Sequence, residues 1–186
     1  MDISLRLRLI QMDYEQKLVR VTALADIESL PTPAGVVSLK TGDEIDLPRW
    51  QARLLESKGL VSIKDKEVDI NIINMYHFKE KRKTAANQIT ALPQDFYPKA
   101  FELVRKLDEL IKENPAHMFL KDREIVEKNL TELAEARLAK IIRLATTNEG
   151  GLRDRLTPEE TIVFDSLHSV ISSWRDYIKS PFRREE

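Results

Sequence analysis

The first third of the chain alternates between short apolar segments and turns. Residues 3–10 place apolar and polar side chains at alternate positions, a pattern that predicts a half-buried strand. Residues 17–27 are rich in β-branched side chains and predict a second strand. After a predicted break at Pro31 and Pro33, residues 35–40 predict a third strand. The pattern therefore indicates a strand-rich N-terminal region.

The stretch GDEIDLPRWQARLLESKGLVSI, residues 42–63, predicts a strand, a helix and another strand. Pro48 suits the first turn of a helix, where its missing N–H costs no hydrogen bond. Gly59 is placed to end that helix. The apolar residues on one helical face, which we predict to form the core of a small domain, are Trp50, Leu54 and Leu55.

Helical periodicity dominates from Asp95 onward. One apolar stripe runs from Phe96 to Ile111, and a second long helix precedes a break at residues 148–151. A last helix begins at LTPEE, where Thr157 is the predicted N-cap and Glu160 completes a capping box.

These elements predict a mostly α protein with a small α+β module. We expect an N-terminal β-rich domain over residues 1–65 and a partly helical connecting segment over residues 66–94. A C-terminal helical-bundle domain is expected over residues 95–186.

The last predicted helix carries a wide apolar stripe. Its candidate interface residues are Val163, Leu167, Val170, Trp174 and Tyr177. A helix that is apolar over so much of its circumference either lies between several helices of its own chain or faces a partner. The sequence leaves both possibilities open.

Composition narrows the class of protein. The 186 residues are 42% hydrophobic, which is sufficient for a folded core, and 30 basic residues nearly balance 31 acidic ones. The whole chain is therefore not expected to have a dominant electrostatic field that attracts nucleic acid or membrane. The absence of cysteine excludes disulfides and thiolate chemistry, and no apolar run reaches membrane-spanning length. With no signal-peptide core over residues 1–10, we expect a cytoplasmic protein.

Catalytic patterns are missing from the sequence. The five glycines form no phosphate-binding loop, and the three histidines lie far apart without metal-ligand spacing. The carboxylate pair Glu159/Glu160 stands at a helix N-terminus, where negative charge is favourable without any catalytic role. The sequence predicts no enzyme, no cofactor and no metal.

One basic run is a candidate for contact with nucleic acid. Its cations are Lys79, Lys81, Arg82 and Lys83. A solvated helix face explains the same run, so both interpretations stand. The helix of the small module is a poor base reader, because strands precede it and its expected outward residues are mixed in sign. These outward residues are Arg49, Arg53, Glu56 and Lys58.

Two stretches carry a resemblance to a known family. EIDLPRWQARLLESKGLVSI in a small strand-rich module, followed by a helical domain with LTPEETIVFDSLHSVISSW, resembles a subunit of the GINS complex, a DNA-replication factor of archaea and eukaryotes. The small domain comes first, which is similar to the archaeal class related to eukaryotic Psf two and Psf three. The resemblance extends over residues 17–178.

The resemblance implies a non-catalytic scaffold subunit. It implies pairing with a second, helical-domain-first GINS subunit, in many archaea as a 2:2 heterotetramer, through the helical domains. It further implies a bridge between the MCM replicative helicase and a Cdc45/RecJ-like protein, with primase as an added contact in some archaea. The alternative is a DNA-binding regulator that uses the small module and the Lys79–Lys83 run. For the scaffold, direct DNA binding is expected to be weak or absent.

Overall fold

The computed structural model divides the chain into two compact units. The small unit is Arg8–Glu67, and the helical unit is Val68–Glu186 together with Met1–Leu7. The residues that the structure describes are 2–33, 35–83, 85, 88–147 and 150–182.

The strands all lie in the first part of the described chain, and the second part is helical. The helices are α1 (Ile3–Gln16), α2 (Arg49–Ser57), α3 (Ile70–Arg82), α4 (Phe96–Glu113), α5 (His117–Thr147) and α6 (Pro158–Lys179). The strands are β1 (Leu18–Ala23), β2 (Ile27–Thr32), β3 (Gly35–Leu39), β4 (Glu44–Pro48) and β5 (Val61–Ile63). Two 3-10 helices, Gly150–Arg155 and Ser180–Phe182, flank α6. The predicted fold class is confirmed.

The first element is a helix, so the strand predicted over residues 3–10 is wrong. A window that continues to Tyr14 shows why. Ile3, Leu7, Ile10 and Tyr14 are spaced by four, three and four residues, which is a helical stripe. Tyr14 at its end is buried. The alternation over residues 3–10 is thus a short portion of a longer helical pattern.

The small unit contains two antiparallel sheets around an apolar core. β1 lies between β4 and β5, and β2 pairs with β3 as a hairpin. Pro31 lies inside β2 opposite Val36, so the chain reverses after Pro31, later than the sequence predicts. The core is formed by Val19, Val21, Ala23, Leu30, Leu39, Leu47, Ala52, Leu55 and Val61.

Helix α2 begins and ends where the sequence predicts. The face that it turns toward the core, however, differs from the predicted one. Pro48 is its N-cap residue, and Gly59 follows it with a φ of +70°. Leu55 is buried as predicted, whereas Trp50 is 44% exposed and Leu54 is 50% exposed. Placing Trp50 and Leu54 in the small-domain core is therefore wrong.

Polar contacts account for this orientation of α2. The Arg49 guanidinium is buried, with Nη1 2.6 Å from Oδ2 of Asp65 and the guanidinium carbon 4.6 Å from the centre of the Tyr14 ring. Gln51 is also buried and donates a hydrogen bond of 2.5 Å to the Pro31 carbonyl. Of the predicted outward residues, Arg49 is thus inward, because its charge is paired inside the unit.

The helical unit is built from α3, α4, α5 and α6. Asp69 caps α3 by accepting a hydrogen bond from the Ile72 amide, and α3 packs along α5. The predicted connecting segment, residues 66–94, therefore contains a helix of the bundle. One core cluster consists of Val68, Ile73, Leu92, Phe96, Ala100, Leu107, Val126 and Leu133. A second consists of Ile89, Ile141, Leu144, Ala145, Leu156 and Phe164.

Candidate interaction surfaces

The N-terminus of α6 is closed by a capping box. The Thr157 hydroxyl accepts a hydrogen bond of 3.4 Å from the Glu160 amide, and Glu160 Oε2 accepts one of 3.0 Å from the Thr157 amide. These contacts confirm the helix start that the sequence predicts. Four residues later, Phe164 is buried in the second core cluster.

Glu160 also belongs to a buried network of charges. Its carboxylate accepts hydrogen bonds from Arg137 Nε and Nη2, the latter at 2.6 Å, and from the Tyr97 hydroxyl at 2.8 Å. Arg137 is fully buried on α5. Glu80 of α3 closes the network, with Oε1 2.6 Å from Lys140 Nζ and Oε2 3.4 Å from Arg137 Nη1. The network thus joins α3, α4, α5 and α6.

The pKa values within this network follow from the pairing of its charges. Burial works to raise the pKa of Glu80, but hydrogen bonds from Lys140 and Thr90 and the charge of Arg137 lower it below its ordinary value. Burial works to lower the pKa of Arg137, but the paired Glu160 carboxylate raises it. Burial and the adjacent Glu160 raise the pKa of Tyr97. All three groups therefore hold their ordinary neutral-pH charge states.

The sequence analysis does not identify this network, although a signal for it exists. Arg137 interrupts the apolar stripe of α5 between Leu133 and Ile141, at the spacing of a core position. Glu80 is likewise the one carboxylate inside the basic run from Lys79 to Lys83. A charged residue at a position where the pattern expects an apolar one can indicate a buried charge with a partner of opposite sign. A residue whose charge is opposite to that of its neighbours in sequence can indicate the same.

The candidate interface stripe on α6 divides into two parts. Val163 and Leu167 are half-buried and pack against the second core cluster. Val170 is 69% exposed, Trp174 62% and Tyr177 70%. Each residue from Ser173 to the end of the second 3-10 helix is exposed. The structure therefore uses the first part in its own core and leaves the second part open.

The stripe has the period of a coiled coil. Its five residues, from Val163 to Tyr177, are separated by four, three, four and three residues, the spacing of a and d positions in a heptad. One flank of the seam carries Ser166, Ser173 and Ser180, and the other carries Phe164, Ile171 and Ile178. Neither flank bears a charge, so the seam offers shape and apolar area, without ion pairs, for packing.

The basic run lies at the C-terminal end of α3, where cations are favourable. Lys81 pairs with Glu132 of α5, which also lies 3.0 Å from His77 Nε2. These partners lower the pKa of Glu132, with the Lys81 hydrogen bond as the largest cause. Lys79 and Arg82 are exposed, and Lys83 is partly exposed. The structure thus keeps the run on the surface, while Glu80 points inward.

The histidines occupy three separate environments. His77 contacts Glu132, His168 stacks on Phe164 with ring centres 5.9 Å apart, and His117 is exposed at the start of α5. In the described ranges, no group of three or more His, Asp or Glu side chains could hold a metal ion. No helix within the same ranges is both long and apolar enough to cross a membrane.

Comparison with known proteins bears on the helical unit. A family model described as Sld5, the GINS complex protein helical bundle domain, matches residues 68–179. This match begins beside α3 and extends to the end of α6. No curated protein matches the chain.

Proposed function

The chain belongs to the family of GINS complex proteins and is a scaffold subunit of a DNA-replication complex, and we propose that it bridges the MCM replicative helicase and a Cdc45/RecJ-like protein. In this proposal it belongs to the small-domain-first archaeal class and acts at the replisome without catalysis. It pairs with a helical-domain-first GINS subunit in a 2:2 heterotetramer, and primase is an added contact in some archaea.

The exposed end of α6 is the observation that carries the subunit pairing. Val170, Trp174 and Tyr177 expose large apolar side chains on three successive turns of one helix. Trp and Tyr are enriched among the residues that contribute most to protein–protein affinity. We propose that this end of α6 packs against a helix of the second GINS subunit, with Val163 and Leu167 at the margin of the contact.

An obligate pairing requires a large contact area. Stable subunit interfaces bury roughly 2,000 Å² or more and have apolar centres. The α6 stripe supplies part of that area, and exposed apolar residues on α5 can extend it. Those residues are Leu138 and Ile142.

The alternative function, a DNA-binding regulator, would use the small module together with the Lys79–Lys83 run. Arg49, a cation at the start of α2, is buried in an ion pair with Asp65. The exposed apolar side chains of this helix are Trp50 and Leu54, and its Arg53 is paired with Glu15. We therefore propose that the small unit docks on protein, as the bridging function requires.

The proposal is tested by a tagged pull-down from native extract after nuclease treatment, with intact-mass analysis. We expect a second GINS subunit of similar size at a one-to-one ratio, with MCM and a RecJ-like protein. A matched chain carrying Lys79→Gln and Arg82→Gln should recover the same partners, because those cations lie outside the proposed subunit contact. Recovery of the chain alone, or of partners that disappear with nuclease, would contradict the proposal.

A further inference from the structure

One face of α3 combines apolar and cationic side chains in the open. Met75, Phe78, Lys79 and Arg82 are spaced by three, one and three residues, so they share a helical face, and all are exposed. The opposite side of the helix places Ile73 in the core and Glu80 in the buried network. We call the four exposed residues the α3 outer face.

An aromatic ring lies among the cations of this face. Phe78 is 59% exposed, and the guanidinium carbon of Arg82 lies 5.3 Å from its ring centre. The Lys79 ammonium lies 5.7 Å from the centre of the Tyr76 ring. Each cation thus lies over one face of a ring and still reaches solvent.

The positive charge here is not balanced locally. Lys79, Arg82 and Lys83 form no ion pair with a carboxylate in the part of the chain that the structure describes. Glu80, the acidic residue inside the run, is directed to Arg137 and Lys140. An apolar protein surface would desolvate these cations at a cost, whereas phosphates would pair with them.

We propose that the α3 outer face binds single-stranded DNA. Phosphates contact Lys79, Arg82 and Lys83, and one base stacks on Phe78. An exposed aromatic ring among cations favours single strands over duplex, because the bases of a duplex are already stacked on each other. The choice of DNA over RNA rests on the proposed function, since a replication scaffold lies beside unwound DNA.

The test is fluorescence anisotropy of a labelled oligo(dT) of about 20 nucleotides with the full chain at low salt. Three cations predict a slope of log affinity against log salt of about −2, at ~0.7 for each phosphate neutralised. Lys79→Gln with Arg82→Gln should reduce the size of this slope by about 1.4. Phe78→Ala should weaken binding roughly 5- to 100-fold and leave the slope unchanged, because stacking releases no counterions.

Two controls make the result specific to this face. Lys112→Gln with Lys121→Gln removes two exposed cations on α4 and α5, and Phe101→Ala removes an exposed ring on α4. Both should leave affinity and slope unchanged. A melt by circular dichroism should show the Phe78→Ala chain folded like the unmodified one.

Several outcomes would overturn the inference. These are no binding at low salt, equal or tighter binding of duplex, tighter binding of oligo(U), and unchanged affinity in Phe78→Ala. A loss of affinity as large in the α4 and α5 controls would also overturn it. Assembly with the second GINS subunit does not use this face, so intact assembly without DNA binding would overturn the inference alone.

Discussion

The two halves of α6 differ in almost every physical respect. In the first half, Thr157 and Glu160 form a capping box, Glu160 pairs with the buried Arg137, and Phe164 fills the core. In the second half, Val170 and Trp174 lie open to solvent. A hydrogen bond of 2.6 Å from Arg175 to the Thr146 carbonyl connects this end to α5, and Ile171 packs against the second core cluster.

This difference shows how one helix can serve both folding and assembly. The first half has polar groups whose partners lie within the chain, so it is complete without a partner. The second half keeps the same heptad spacing, but its stripe residues Val170, Trp174 and Tyr177 are exposed. Substitutions in the first half are therefore expected to lower the stability of the chain. Substitutions in the second half should affect assembly alone.

The largest effect is expected from breaking the buried network. Arg137→Ala should lower the free energy of unfolding by about 3–5 kcal/mol, because Glu160 is left as a buried charge without its main partner. Urea unfolding followed by circular dichroism measures this loss. Arg143→Ala, an exposed arginine on the same helix, is the control and should change stability by less than ~0.5 kcal/mol. Equal losses in both variants would contradict the assigned role of the network.

The two halves of α6 are compared directly by removing one aromatic ring from each. Phe164→Ala should lower the free energy of unfolding by roughly 3 kcal/mol, because it leaves a cavity in the core. Trp174→Ala should change it by less than ~0.5 kcal/mol, because that ring is exposed in the isolated chain. Thermal melts of both variants test this. A large loss in Trp174→Ala would show that the second half is also part of the chain's own fold.

The smallest effect concerns pH. The folded-state pKa of Glu80 lies below its ordinary value of 4.5, so folding favours its ionised form. The resulting stability is present above the unfolded-state pKa and is lost as the pH falls through the folded-state pKa. Between neutral pH and pH 3, the free energy of unfolding measured in urea should therefore fall more steeply for the unmodified chain than for Glu80→Gln. One carboxylate accounts for at most about 1.4 kcal/mol per pH unit. Parallel curves would contradict a folded-state pKa of Glu80 that lies below its unfolded-state value.

The sequence predicts the helical unit well where the local signals are strong. The capping box at Thr157, the stripe beginning at Phe96 and the long helix before the break at residues 148–151 all appear in the structure. Asn148 and Glu149 of that break lie outside the described residues, as do Arg183–Glu186. Capping and helical periodicity act within a few residues, so a sequence pattern is sufficient to identify them.

The predictions fail where a distant partner decides the outcome. The spacing of Trp50 and Leu54 predicts core residues, yet Arg49 and Gln51 point inward instead. Arg49 contacts Asp65 and Tyr14, and Gln51 donates a hydrogen bond to the Pro31 carbonyl. Each of these partners lies at least 16 residues away along the chain. Amphipathic periodicity identifies the apolar face of a helix, but it does not show which distant residues pack against that helix.

The α6 surface falls between these cases. The sequence predicts the stripe from Val163 to Tyr177 but leaves open whether it faces the chain's own core or a partner. The structure shows that Leu167 packs inside and Val170 is exposed, so the change occurs within one turn. Burial depends on how far the neighbouring helix α5 extends, and no local pattern encodes that.

The most direct test of the account is co-expression with the helical-domain-first GINS subunit, followed by sizing with light scattering and a circular-dichroism melt. The unmodified chain should elute as a heteromeric complex. Val170→Asp with Trp174→Ala should weaken the pairing by about 100-fold or more and elute alone, with an unchanged melting temperature. Phe101→Asp, an equally drastic change at an exposed site on α4, should still assemble. A double variant that assembles normally, or that unfolds on its own, would contradict the assignment of the α6 end to the subunit interface.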